Sequence, residues 1–118
     1  MGYRSRVGIC ISEDAAIQLE AKIRLLCSAL QKAVTSLFED AEVKKQDDGC
    51  KAWYWDGFKW YSSDCDVAFL EGYLDDLQWD EYLYIRVGED LDDVDYRGGL
   101  WDNPFGMCLT RGIEFNED

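Results

Sequence analysis

Between residues 64 and 95 the chain sets twelve carboxylates against one base, Arg86. Acids in that density suit paired acid–base catalysis, cation binding or docking to a basic partner. Glycosidase-type catalysis needs two carboxyls in a cleft with their pKa values driven apart, whereas these acids fall on predicted outer helix faces and turns. The run Asp90-Leu91-Asp92-Asp93-Val94-Asp95 fails as a calcium loop. Counted from Asp90, Val94 and Trp101 stand where a ligand and the bidentate Glu belong; counted from Asp93, those places hold Arg97 and Pro104. No His is present, so the commonest acid–base residue and zinc ligand is missing. Cys10, Cys27, Cys50, Cys65 and Cys108 are widely spaced, with no Cys-x-x-Cys pair, the usage of a reducing compartment. Cys65 lies between Asp64 and Asp66, the wrong neighbourhood for a thiolate. Gly88-Glu89-Asp90 follows a predicted strand, but an acidic loop repels phosphate. These residues predict a chain that is not an enzyme and takes no cofactor or metal.

Docking remains. Residues 1–55 carry eight acids and eight bases, while residues 56–118 carry seventeen acids and only Lys59, Arg86, Arg97 and Arg111, so the second half holds the whole −13. Such self-repulsion disfavours a compact state. Either these acids face a basic partner, or they form a solvated face that maintains solubility. An acidic protein is repelled by nucleic acid and by anionic membranes, so the expected partner is a protein with a basic nucleic-acid-binding surface. With 118 residues and 47% apolar content, the chain predicts one folded domain over 1–118. No apolar run approaches the roughly 20 residues of a membrane span, and the start reads as a strand, not a signal peptide. A cytoplasmic location follows.

The elements that position the acids follow from periodicity. Val7, Ile9 and Ile11 alternate with Gly8 and Cys10, an internal strand over 4–11. Ser12 caps a helix with Glu13 and Asp14 in its first turn. Leu19, Ile23, Leu26, Leu30, Val34 and Leu37 continue one stripe over 13–38, roughly 39 Å of helix. That exceeds a small sheet, so the helix either bends or overhangs to meet a partner. A polar strand over 41–46, an Asp47-Asp48-Gly49 turn, a strand over 50–55, a second turn at Asp56-Gly57 and a strand over 58–61 come next. The aromatics of this stretch predict cross-strand packing; the rival reading makes Trp53, Trp55 and Trp60 a docking surface. Ser63 is the predicted cap of a second helix with an inward stripe of Val67, Leu70, Leu74 and Leu77. Glu71 and Asp75 then stack on its outer face as a like-charge pair without a nearby base. A strand over 82–88, an acidic loop over 89–95 and a last strand over 107–115 complete an α+β sandwich of ferredoxin-like kind: five or six strands, antiparallel or mixed, with two helices on one face.

Gly2-Tyr3-Arg4-Ser5-x-Val7, Lys59-Trp60-Tyr61, Ile85-Arg86-Val87-Gly88-Glu89-Asp90 with Asp92-Asp93, and Thr110-Arg111-Gly112-Ile113 together resemble a group of small acidic proteins encoded by bacteriophages and prophages. The resemblance spans most of the chain and carries no catalytic motif. It implies a phage origin, with Arg4, Arg86 and Arg111 as partners for carboxylates within the sheet. A small acidic phage protein without catalytic apparatus suggests an inhibitor of host defence in the bacterial cytoplasm. It would be an anti-CRISPR or similar anti-defence protein that mimics DNA, occupying the basic channel of a CRISPR effector, restriction enzyme or nuclease. The alternative is a phage accessory or structural protein that self-assembles or binds virion components. The residues expected to form one contiguous binding face are Glu71, Asp75, Asp76, Asp80 and Glu81, joined by Glu89, Asp90, Asp92, Asp93 and Asp95.

Overall fold

The computed structural model describes residues 2–90, 92–100 and 102–109. Alternation makes Ser5–Ile11 the central strand β1, buried on both faces apart from Arg6. Ser12 Oγ accepts the Ala15 amide at 3.2 Å and starts α1, Glu13–Arg24. There the predicted long helix ends. Leu25 and Leu26 N–H turn back to the Lys22 and Ile23 carbonyls, the Gln31 side-chain amide donates to Ile23 O at 3.0 Å, and α2 restarts at Ser28–Glu39. The nine-residue strand Cys50–Phe58 spans only about 30 Å, so an unbroken helix would overrun the sheet. Breaking it allows α2 to bury Val34 and Leu37.

Val43–Asp47 forms β2 and Cys50–Phe58 forms β3. The helix α3, Cys65–Asp75, has Asp64 at its N-cap position in place of the predicted Ser63, without a side-chain capping bond. A 3-10 turn at Trp79–Glu81 leads into β4, Tyr82–Val87, which pairs with β5, Val94–Gly98. The strands form one open antiparallel sheet ordered β2-β3-β1-β4-β5. Among the described residues the fold is α+β with three α-helices and five strands; the expected pair of helices is corrected by the break between α1 and α2. β5 occupies part of what reads in sequence as an acidic loop. Of the last predicted strand, 107–109 carry no regular structure and the remainder lies outside the described residues. Thr110 and Arg111 lie there too.

Asp56-Gly57 is a bulge and not a turn. Ser5 pairs with Phe58 and Val7 with Trp55, so β3 has one extra residue against β1, and Gly57 takes φ 58°. The extra residue shifts the side-chain phase. Trp53, Trp55 and Phe58 therefore join Trp60 in one core instead of dividing between two faces. Trp55 is fully buried and donates Nε1–H to Leu37 O at 2.8 Å, while Trp60 is 5% exposed. Neither is available for docking, which corrects the rival aromatic reading for both; Trp53 is half-buried against Phe38. The same core takes in Val7, Ile9, Leu37, Leu70 and Tyr84. A second, smaller core joins Cys10, Ala52, Leu83 and Ile85 to Leu100, Phe105, Met107 and Leu109. The segment that supplies this cover is tied around buried Asn103. Its Nδ2 donates to the Leu100 and Met107 carbonyls and its Oδ1 accepts the Phe105 and Met107 amides.

Candidate functional site

Four of the ten candidate acids are consumed inside the fold. Glu71 is 8% exposed, not on an outer face. Its Oε2 accepts the Tyr84 hydroxyl at 2.7 Å and the Trp60 indole N–H at 3.3 Å, and its Oε1 accepts the Ser62 hydroxyl at 2.7 Å. Burial, reinforced by this carboxylate, pushes the Tyr84 hydroxyl pKa well up, so it stays a donor. Asp75 is not part of an unrelieved like-charge pair either. Arg97 bonds Asp75 at 3.1 Å and Asp95 at 2.8 Å, and its guanidinium lies over the Tyr84 ring at 5.2 Å. Asp93 takes a two-pronged bond from Arg86, at 2.6 and 3.2 Å, and a third from the Tyr3 hydroxyl. The Arg86 guanidinium first, then the Tyr3 hydroxyl, holds the Asp93 carboxyl down at about 2. Asp75, Arg97, Asp95, Arg86 and Asp93 thus form a ladder of paired charges beside β4 and β5.

The remaining six divide. Asp76 and Asp80 are exposed and Glu81 is half-buried, all at the end of β4 where Tyr82 begins. Glu89, Asp90 and Asp92 are exposed beyond its other end, in the loop to β5. Six strand residues separate the two groups, roughly 20 Å. The expected single face is therefore two acidic clusters with a ladder of three paired acids and two arginines between them. An extended strand between the acidic helix end and the acidic loop permits no closer approach.

The second cluster stands on a built support. Gly88 N–H donates to Asp93 O at 2.8 Å, Asp93 N–H to Asp90 O at 3.0 Å and Val94 N–H to Asp92 O at 3.1 Å. The Asp90 amide donates to Tyr3 OH, the Arg4 amide to Glu89 Oε2, and Arg86 also reaches Ser5 Oγ. Arg4 itself bonds the Gly57 carbonyl at 2.8 Å and not a carboxylate. A Cβ on Gly88 would fall 2.2 Å from both Asp93 Oδ2 and Tyr3 OH, so any side chain there would have to displace the Tyr3–Asp93 pair. A Cβ on Gly2 would fall 2.5 Å from the Tyr61 hydroxyl and 2.8 Å from Lys59 Cε. Residues 2–5, 57–61, 86–90 and 92–93, far apart in sequence, meet at this end of the sheet. Compared with protein families, with characterised proteins and with solved structures, the chain matches nothing.

Beside the first cluster stands Trp79, which sequence reasoning passed over. Its side chain is 57% exposed, while its carbonyl accepts the Gly99 amide at 2.7 Å and its ring lies where a Cβ on Gly99 would be. An aromatic flanked by Asp76, Asp80 and Glu81 in sequence was the available signal. Elsewhere, a groove of about 300 Å³ between α1, α2 and β3 has Leu19, Ile23, Phe38 and Trp53 as its floor and Lys44 and Lys51 at its rim. Lys51 is paired there with Glu20 at 3.0 Å. Among the described residues no helix is long and apolar enough to cross a membrane.

Proposed function

We propose that this protein is a phage-encoded, non-catalytic inhibitor that works in the host bacterial cytoplasm by binding a basic surface of a nucleic-acid-handling defence complex. The observation that carries the reading is the fixed display of two exposed acidic clusters at the ends of a ladder whose own acids are paired with Arg86 and Arg97. Pre-ordering of the 88–93 loop by Tyr3, Arg86 and Asp93 lowers the entropy lost when it binds. Carboxylates presented this way speed association with a basic groove and make it salt-sensitive. Trp79 supplies the apolar anchor that slows release. The sheet order, with α1 and α2 between β1 and β2 and α3 between β3 and β4, supports a ferredoxin-like reading with β5 as an added edge strand.

Asp93 has no place in a test of the surface, because its loss would release Arg86 and Tyr3. The variants that test it are Glu89→Lys/Asp90→Lys/Asp92→Lys and Asp76→Lys/Asp80→Lys. Either set should weaken inhibition of the host system in a phage-protection assay, and together they should abolish it by like-charge repulsion. Capture from host lysate with salt-gradient elution should recover a nuclease, restriction or CRISPR subunit. Unchanged inhibition by a combined variant with a native circular dichroism spectrum would refute the proposal.

A further inference from the structure

The outward face of α1 has no partner within the described fold, and its chemistry is self-complementary. Ile17 is 61% exposed and Leu25, the residue that closes the helix, is 86% exposed. Ala21 lies between them at four-residue steps, so the three share one side of the helix. Asp14 and Arg24 lie on that same side, one in the first turn and one in the last. Both are exposed, and the Arg24 contact to Glu20 is long, at 3.8 Å, and solvent-facing. Ala15, Ala16 and Leu19 fill the core from the opposite side, so they hold the outward stripe in place.

We infer that a second copy of this chain docks on α1 about a two-fold axis, with the two α1 helices antiparallel. In such a contact, residue i meets residue j of the copy while j meets i. The axis passes near the middle of the helix, at the level of residue 19, and Ala21 lets the backbones come close. Ile17 of each copy packs on Ala21 of the other, Leu25 extends the apolar contact, and Asp14 of each copy faces Arg24 of the other. Antiparallel alignment also opposes the helix dipoles favourably. Net charge favours this face above others, because α1 belongs to the charge-balanced residues 1–55. Two such chains would associate while keeping their acidic clusters on β4 and β5 free. The inference does not depend on what those clusters bind.

Sedimentation of the full chain, from micromolar to millimolar concentration, tests it. The wild type should pass from monomer to dimer over that range. Ile17→Asp/Leu25→Asp should remain monomeric with an unchanged circular dichroism spectrum. Asp14→Arg alone and Arg24→Asp alone should each weaken the dimer at least tenfold, since each sets like charges opposite one another. An equimolar mixture of these two variants should recover a dimer, because each then carries the complement of the other. A wild type monomeric throughout, or a mixture that associates no better than either variant alone, would overturn the inference.

Discussion

Glu71 lies at an inward position of α3, four residues after Val67 and three before Leu74, both buried. Helical spacing alone puts it on the core side. Its charge argued for the outside, and only the arrival of Trp60 and Ser62 from one segment and Tyr84 from another makes burial tolerable. Removing the acceptor leaves the buried Tyr84 hydroxyl without one, while the Trp60 indole N–H keeps only the Tyr84 oxygen, at 3.0 Å. Glu71→Ala should therefore cost about 2–4 kcal/mol, with Glu71→Gln in between, as measured by urea unfolding. Asp93 gives a pH signature of its own. Its folded pKa of about 2 lies below the ordinary 3.8, so the stabilisation is complete above about pH 4 and lost as pH falls toward 2. The stability difference between wild type and Asp93→Asn should shrink over that window, and a difference constant from pH 6 to pH 2 would exclude this pairing as its source.

At the scale of elements, the sequence reveals β1, the cap of α1, the Val67–Leu70–Leu74 stripe and β4, because each depends on local period or capping. The end of α1 was hidden: no Gly or Pro stands at 25–27, and the break answers the size of the sheet. β5 was hidden by its charges. Asp95 and Arg97 pair with each other along one face of the strand while Val94 and Tyr96 occupy the other, an arrangement that reads as an acidic loop until Arg97 is seen to bind Asp75. The two glycines at positive φ in the strands have different reasons to be glycine. Around Gly57 a Cβ would meet nothing within 4 Å, whereas at Gly98 it would fall 2.2 Å from the Tyr82 carbonyl oxygen. Gly57→Ala should cost about 1 kcal/mol, from backbone conformation alone. Gly98→Ala should cost clearly more and disturb the β4–β5 pairing; equal losses in chemical unfolding would contradict the steric difference.

For the whole molecule, the charge asymmetry visible in the sequence survives in weakened form. Pairing by Arg86 and Arg97 absorbs Asp75, Asp93 and Asp95, which a count of acids could not show, since it depends on strand register. The exposed acids of both clusters still repel one another across distances that ordinary salt screens, the Debye length being about 10 Å at 0.1 M. Added sodium chloride should therefore raise the midpoint of urea unfolding between low and moderate ionic strength. A midpoint that falls would mean that the surface pairs outweigh the net repulsion. Of the candidate site, the exposure of Asp76, Asp80, Glu89, Asp90 and Asp92 was legible from their charge; the support beneath the second cluster was not, because Tyr3, Arg4 and Arg86 reach it only through tertiary structure.

The second core has a consequence for chemical probing. Cys10 sits in it fully buried, and burial raises its thiol to about 12, whereas Cys27, Cys65 and Cys108 are exposed. A thiol reagent can reach Cys10 only when the cover of Leu100, Phe105, Met107 and Leu109 lifts off the sheet. If that cover opens before the larger core does, a protein with its other thiols blocked carries a built-in clock for sub-global opening. Its labelling rate would then separate the breathing of one face of the sheet from the unfolding of the whole.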